Sequence, residues 1–302
     1  MMERAQAIAL GSILKSKHDG VRVVRKLFVS ADMEGLPAVS AAQALAPDRW
    51  SWEWTAARNW MTQDVIAVAE TAFASGYQEV IVADSHGNAH NIDPDALPNN
   101  VRLVRSWPRP LLHMQGVDEV GVDACAFIGY HTASTEEGSI LAHTYSGAAF
   151  RAVRVNGEIC SEGYLNAALA GEFGRAVIFV SGDQRTVEDA QRYAPKATVF
   201  VAKKSLGWRS QMSLPPKQVR ELLREAVSTA LHQEARRPFI LAHPLHLELE
   251  MTTQLAAEML AYLPNVIRRG SFSVATTFDR MSELMKFVAF VMLYTPTGVP
   301  AL

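Results

Sequence analysis

The sequence has few cysteines, no long hydrophobic run and almost no net charge, and each shortage argues against a class of protein. Only Cys125 and Cys160 occur among 302 residues, too few for a disulfide framework, which predicts a reducing compartment and a cytoplasmic protein. The longest apolar run, Phe287 to Tyr294, has eight residues, whereas a helix that spans a bilayer needs about 20. The 29 basic and 31 acidic residues leave a net charge of -2, which attracts neither nucleic acid nor an anionic membrane. We therefore expect no nucleic acid and no membrane as partners.

The chain is long and apolar enough to build a substantial core. Its 302 residues, 49% of them hydrophobic, correspond to one large or two ordinary domains. The N-terminal segment contains a short apolar patch, Ala7 to Leu10, which Lys15 and Lys17 follow closely, and no small-residue cleavage site comes after it. This pattern predicts an N-terminal extension over residues 1–20 and argues against a secretion signal.

Segments typical of strands and helices alternate along most of the chain. An apolar strand near residues 26–31 is followed by a helical pattern over residues 55–75, which Gly76 would end, and by the apolar run Val80 to Ala83. These three segments form a βαβ unit, which is typical of a parallel sheet. The sequence therefore predicts an α/β fold whose main part is a three-layer, doubly wound, mostly parallel sheet.

A change in composition near residues 205–215 indicates a domain boundary. Pro215-Pro216 opens a long amphipathic helix, and alternating strand and helix patterns follow to the end of the chain. We expect an α/β domain over residues 21–208 and a smaller α+β C-terminal domain over residues 209–302.

Two carboxylates stand where the first strand ends. Asp32 and Glu34 follow the apolar run directly, and both point to one face if the strand continues that far. Two neighbouring acids repel each other and lose solvation when buried, so a divalent cation between them is favoured. The plainer alternative is a solvated loop with two surface acids.

Further polar side chains follow the next strands. His86 comes after the second strand, His131 after a strand that ends near Gly129, and Glu162 in the first turn of a predicted helix. The carboxyl ends of parallel strands meet in one crevice, so we expect these side chains to lie near Asp32 and Glu34. Three carboxylates and two imidazoles suit zinc or a similar ion and exceed what one ion needs, so a two-metal site with a bridging carboxylate is predicted. Each residue alone also has a structural explanation, such as helix-dipole compensation for Glu162.

One further histidine is available for catalysis. His143 lies in the segment that follows the polar loop after His131. An unperturbed histidine has a pKa near about 6.5, so His143 could act as acid, base or nucleophile. A histidine that is held only by packing and one hydrogen bond is the alternative.

Taken together, these motifs resemble the D-aminopeptidase family of zinc metallopeptidases over about residues 25–293. The resemblance rests on Ser30 to Gly35 (S-A-D-M-E-G), Asp84-Ser85-His86, Gly129-Tyr130-His131, Ala142-His143 and Glu162 to Ala167, in this order. It implies a centre of two zinc ions per chain in the first domain, with Asp32, Glu34, His86, His131 and Glu162 as ligands and Asp32 bridging. It also implies His143 as the catalytic residue, removal of N-terminal D-amino acids such as D-alanine from short peptides or amides, and a ring-like homo-oligomer.

One departure from the family pattern and two alternatives accompany this resemblance. The loop between His131 and His143 is one residue longer than the family pattern and carries Glu136-Glu137, which bears on substrate choice. A metallophosphoesterase is an alternative because Asp84-Ser85-His86 contains D-x-H and Gly182-Asp183 is a G-D, although the second Asp expected three residues further on is missing. The other alternative is a protein that binds metal or peptide without turnover. In the peptidase interpretation, Gly182-Asp183 has a supporting role.

Overall fold

The computed structural model describes residues 24–41 and 51–294, so the predicted extension at residues 1–20 lies outside the described part. The strands, in chain order, are β1 (Lys26–Ala31), β2 (Glu79–Asp84), β3 (Val101–Val104), β4 (Val122–Tyr130), β5 (Phe150–Val155), β6 (Glu158–Ile159), β7 (Ala176–Asp183), β8 (Thr198–Gly207), β9 (Ser210–Met212), β10 (Leu245–Met251), β11 (Ile267–Arg268) and β12 (Ser273–Phe278). The helices are α1 (Trp52–Ala74), α2 (Glu162–Glu172), α3 (Gln184–Tyr193), α4 (Pro216–Leu231), α5 (Gln254–Leu260) and α6 (Met281–Leu293).

The larger sheet has seven strands in the order β3-β2-β1-β4-β7-β8-β9. All neighbouring strands pair in parallel except β9, the edge strand, which pairs antiparallel with β8. Helices cover both faces, so the central strands are buried on both sides and consist of apolar and small residues. Phe28 packs on the face of α2 and α3, whereas its neighbour Val29 packs on the face of α1 and α4. The predicted three-layer, mostly parallel α/β fold is confirmed.

The smaller sheet has five strands in the order β11-β12-β10-β5-β6. β5 and β6 form the hairpin that Asn156-Gly157 predicts, and both turn residues have positive φ angles, 53° and 86°. On β10, Leu247 and Leu249 are buried whereas His246 is exposed, as the alternating sequence predicts. Helices α5 and α6 pack on this sheet.

The sheets divide the chain differently from the predicted boundary at residues 208/209. Strands β5 and β6, which precede residue 208, belong to the smaller sheet because β5 pairs with β10. Helix α4, which follows residue 208, packs against α1 and the larger sheet. The order of the elements along the chain does not reveal this division, because β5 and β6 lie in sequence between β4 and β7, two strands of the larger sheet. None of the helices in the described ranges is long and apolar enough to cross a membrane.

Candidate metal centre

The carboxyl ends of β1, β2 and β4 enclose a crevice at the centre of the larger sheet. β1 lies between β2 and β4, so the chain crosses from one side of β1 to the other at this point. Open α/β sheets bind ligands where the strand order reverses in this way. Asp32 follows β1, His86 lies two residues beyond β2, and His131 follows β4. The residues that the sequence singles out therefore point into one crevice.

Asp32 is the centre of this cluster. Its Oδ1 lies 3.3 Å from Nδ1 of His86, and its Oδ2 lies 3.4 Å from Nε2 of His131. On the His86 side of Asp32, Glu34 Oε2 lies 2.9 Å from His86 Nδ1. On the His131 side, Glu162 Oε1 lies 3.4 Å from His131 Nε2. The five residues thus form two candidate ligand sets, Asp32–Glu34–His86 and Asp32–His131–Glu162, which share Asp32.

Backbone contacts explain why the strand β1 ends in this geometry. The amide of Met33 donates to Asp32 Oδ1 at 2.8 Å, which orients the carboxylate. The amide of Gly35 donates to the carbonyl of Gly129 at 2.7 Å. A Cβ atom at position 35 would clash with the carbonyl oxygen of Tyr130, so this close approach requires glycine. The glycine that ends the S-A-D-M-E-G motif therefore allows the turn after Glu34 to pack against the end of β4.

Hydrogen bonds determine which nitrogen of two imidazoles faces the centre. His131 donates from Nδ1 to its neighbour's carbonyl, Thr132 O, at 2.9 Å, and His143 donates from Nδ1 to Leu141 O at 2.8 Å. A carbonyl only accepts, so in each ring the Nδ1 carries hydrogen and the lone pair of a neutral ring is on Nε2. The two rings stack with centroids 4.3 Å apart and an interplanar angle of 13°. Both histidines thus present Nε2 to the carboxylates.

The donor atoms fit a zinc ion chemically. His131 Nε2 is buried and makes no hydrogen bond of good geometry with any described residue. Buried polar atoms without partners are rare in folded proteins, and a cation satisfies the lone pair of such a nitrogen. Carboxylate and imidazole ligands in this ratio are those that zinc accepts.

The electrostatics of the cluster also call for positive charge. Burial raises the pKa of the Asp32 carboxyl, but the neighbouring His131 and His86 imidazoles outweigh this effect and hold that pKa well below its usual range. Burial raises the pKa of Glu162 as well, and His131 and His113 reverse the shift and lower it strongly. Burial lowers the pKa values of His86 and His131, but the attraction of Glu34 on the first and of Glu162 on the second dominates, so both pKa values are raised well above the usual value. Ionised carboxylates therefore require protons on the imidazoles or a metal in their place.

His143 lies beside the two ligand sets. Its Nε2 is 3.9 Å from Glu34 Oε1 and 3.8 Å from Glu162 Oε1, and its side chain is 25% exposed, whereas the other five residues are almost fully buried. A ring that faces the cluster on one side and solvent on the other can meet a substrate. A third candidate set, Glu34–His131–His143, also places this ring within reach of a cation.

Two cavities meet at this cluster. The smaller one, about 250 Å³, is lined by Trp107, Met292 and Leu293 together with residues of the cluster. The larger one, about 650 Å³, is wider and carries Arg151 and Arg209 on its wall. Glu34, His86 and His143 line both cavities. A molecule that extends through both would therefore cross the cluster.

The acids of the phosphoesterase alternative lie outside the cluster. Asp84 accepts hydrogen bonds from the Asn91 amide and side chain and from the Ile92 amide at 2.6–2.9 Å, and it belongs to none of the candidate ligand sets among the described residues. Asp183 accepts from the Ile140 and Thr186 amides. The D-x-H and G-D motifs thus do not bring their aspartates to a common site.

Sequence reasoning missed two buried cationic or ionisable groups at the cluster. The Nδ1 atom of His113 lies 3.1 Å from Oε2 of Glu162. Lys203 on β8 donates from Nζ to the carbonyls of Glu34 and Val39 and so holds the turn after β1. Burial lowers the pKa of Lys203 to about 7, although Asp183 and Glu34 oppose this shift. No motif in the sequence marks either residue.

Comparisons with known proteins bear on this site. The model of the D-aminopeptidase family matches residues 25–290. A D-aminopeptidase from Bacillus subtilis is 27% identical over 260 residues, which cover 85% of this chain and 93% of the relative. The solved structure of the Zn-dependent D-aminopeptidase DppA from Bacillus subtilis, a self-compartmentalizing protease, matches with a TM-score of 0.81 at 24% identity and covers 89% of this chain and 99% of that chain. The structural match shows a common fold, and the family match spans nearly the whole described part of the chain. The protein therefore belongs to the D-aminopeptidase family and is an enzyme of the peptidase class.

Proposed function

We propose that this enzyme is a zinc-dependent aminopeptidase that removes N-terminal D-amino acids, such as D-alanine, from short peptides or amides at a two-metal centre. The observation that carries the proposal is the pair of candidate ligand sets that share Asp32. Asp32 would bridge two ions, one held with Glu34 and His86 and the other with His131 and Glu162. The D preference is taken from the family and from the relatives named D-aminopeptidase.

The chemistry divides between the metals and His143. Zinc at this site would act as a Lewis acid toward the scissile carbonyl and would lower the pKa of water toward about 7. His143 takes up and returns a proton at Nε2, because its Nδ1 hydrogen is committed to Leu141 and its Nε2 faces the crevice. Carboxylate oxygens of Glu34 and Glu162 at 3.9 and 3.8 Å stabilise the imidazolium that forms.

The two cavities suit a short peptide that lies across the centre. The smaller cavity, closed by Trp107 and Leu293, would hold the N-terminal residue, and the larger one would hold the remainder. Arg151 and Arg209 on the wall of the larger cavity would attract the C-terminal carboxylate of a di- or tripeptide. The volume of the smaller cavity, about 250 Å³, accommodates an N-terminal alanine.

The first experiment measures zinc per chain and then activity. We expect two zinc ions in the wild-type protein, loss of both in Asp32→Ala, and loss of one in Glu162→Ala. The zinc-loaded protein should release alanine from D-alanyl peptides faster than from L-alanyl peptides, and chelation should abolish the activity until zinc is restored.

The same measurements distinguish the peptidase from the two alternatives. Hydrolysis of a phosphoester in preference to peptides would favour the phosphoesterase interpretation. Two bound zinc ions without turnover of any peptide would favour a binding protein. One zinc ion in the wild-type protein would refute the two-metal centre.

We further propose that the enzyme is cytoplasmic and assembles into a ring-like homo-oligomer. Both cysteines are buried and unpaired, which fits a reducing compartment. The structural relative DppA is described as self-compartmentalizing, which requires several subunits around an enclosed space. Light scattering coupled to size-exclusion chromatography tests the assembly, and a monomer at micromolar concentration would refute it.

A further inference from the structure

We propose that His113 is a positioning residue of the metal centre, which donates from Nδ1 to Glu162 Oε2 and so presents Oε1 to the metal. The inference rests on the zinc site proposed above, but its test does not depend on peptidase activity. His113 lies in a short 3₁₀ turn, Leu112–Met114, between β3 and β4, far in sequence from every other residue of the cluster.

The contact between the two side chains is short and buried. His113 Nδ1 and Glu162 Oε2 are 3.1 Å apart, and the side chains are 5% and 2% exposed. Within the described ranges, neither atom makes a hydrogen bond of good geometry with any group, and the contact between the two is established by its distance alone. Each atom therefore lies within hydrogen-bond distance of the other and has no other hydrogen-bond partner among the described residues.

The two oxygens of Glu162 face different partners. Oε1 accepts from the Tyr145 amide at 2.7 Å and lies 3.4 Å from His131 Nε2. Oε2 faces away from that histidine and toward His113. A donor on each oxygen prevents the carboxylate from rotating about its last bond, so one oxygen remains directed at the second ligand set. Such orienting hydrogen bonds to metal-binding side chains strengthen metal affinity.

The ring of His113 is itself held in place. It meets the Tyr145 ring edge to face, with centroids 4.9 Å apart at 76°, and lies 5.7 Å from the Trp107 ring. With a hydrogen on Nδ1, the imidazole donates to Glu162. His113 thus acts on the metal only through Glu162, because it belongs to none of the candidate ligand sets among the described residues.

The test uses two amides that place their nitrogen differently. In His113→Asn the side-chain nitrogen takes the place of Nδ1, whereas in His113→Gln it lies near the position of Nε2. His113→Leu removes the donor altogether. Zinc affinity is measured by titrating each metal-free protein against a chromophoric zinc chelator, and thermal melts of the metal-free proteins show whether each variant is folded.

We expect the weaker zinc site to lose about 10- to 100-fold in affinity in His113→Leu and His113→Gln, the range typical for orienting partners of metal ligands. His113→Asn should remain within about threefold of the wild type, as should the control His246→Leu, which changes an exposed histidine on β10. If His113→Leu does not fold, the comparison of zinc affinity between the Asn and Gln variants still tests the proposal.

Equal zinc affinity in the wild type, Asn and Gln variants would overturn the proposal. So would a loss in His113→Asn as large as in His113→Gln, because the ring itself would then be needed. A rise in KM without any change in zinc affinity would make His113 a substrate contact instead. Failure of the proposed peptidase function gives a different result, namely normal zinc binding and no peptide hydrolysis in the wild type.

Discussion

Replacing Asp183 tests how the fold holds the loop that carries His143. Asp183 ends β7 and caps helix α3, and it is 1% exposed. Its Oδ1 accepts from the amide and the hydroxyl of Thr186, both at 2.9 Å. Its Oδ2 accepts from the Ser139 hydroxyl at 2.9 Å and from the Ile140 amide at 2.8 Å. One carboxylate therefore joins a helix start to the segment that leads to His143.

The contacts of this carboxylate give the expected loss of stability. Removing a helix cap by substitution to alanine costs about 1 kcal/mol. The Ile140 amide would be buried without an acceptor, at a cost of about 1–3 kcal/mol. We expect Asp183→Ala to lower the free energy of unfolding by about 2–4 kcal/mol, a large part of the roughly 5–15 kcal/mol typical of a protein. In Asp183→Asn the amide oxygen still caps Thr186, but the amide nitrogen faces the Ile140 N–H, so an intermediate loss is expected.

Urea unfolding of the metal-free protein, followed by tryptophan fluorescence, measures this loss. Asp93→Ala is the control, since Asp93 caps a short 3₁₀ turn at the surface through one hydrogen bond of 3.0 Å, and it should lose no more than about 1 kcal/mol. Turnover should fall in Asp183→Ala because Ile140 lies three residues before His143, while zinc content stays unchanged. A loss in Asp183→Ala no larger than in the control would refute the reasoning, as would loss of zinc in step with activity.

Three further outcomes are expected. His143→Gln should keep its zinc and lose about 100-fold or more in kcat, the usual contribution of a proton-transfer group; unchanged turnover would remove that assignment. The raised pKa values of His86 and His131 stabilise the metal-free fold fully below the pKa of unfolded histidine, and this stability is lost as pH rises through the raised values. Zinc replaces those protons, so the increase in Tm on adding zinc should be larger at pH 8 than at pH 6, and an increase independent of pH would contradict this. Arg151→Ala/Arg209→Ala should raise KM for a D-alanyl dipeptide but not for its C-terminal amide, and an equal rise for both would exclude carboxylate binding by these arginines.

The prediction of the larger sheet succeeded because its strands are buried on both faces. Such strands are continuous apolar runs, and their ends are marked by an abrupt change to polar residues, as at Asp32. The smaller sheet was harder to assign because its strands come from residues 150–159 and from β10 to β12, far apart in sequence. Pairing between distant strands depends on packing in three dimensions and has no local signal.

The six site residues could be singled out because most of them stand where a strand ends, and the structure brings all six together in one crevice. Their functional roles stay predictions that the experiments above test. His113 and Lys203 could not be found in the same way. Neither residue lies in a recognisable motif, and the importance of each comes from a neighbour about 50 or more positions away in the sequence.

The sequence by itself determined the layering of the larger sheet and the kinds of ligand at its carboxyl edge, since both follow from local polarity and strand periodicity. Only the tertiary structure decided that Asp32 stands between two ligand sets and that Nε2 of His131 and His143 faces inward. It also decided that Asp183, at the start of α3, binds the loop that carries His143. These features depend on the directions of side chains from separate segments, and those directions are set by hydrogen bonds and burial once the core has formed.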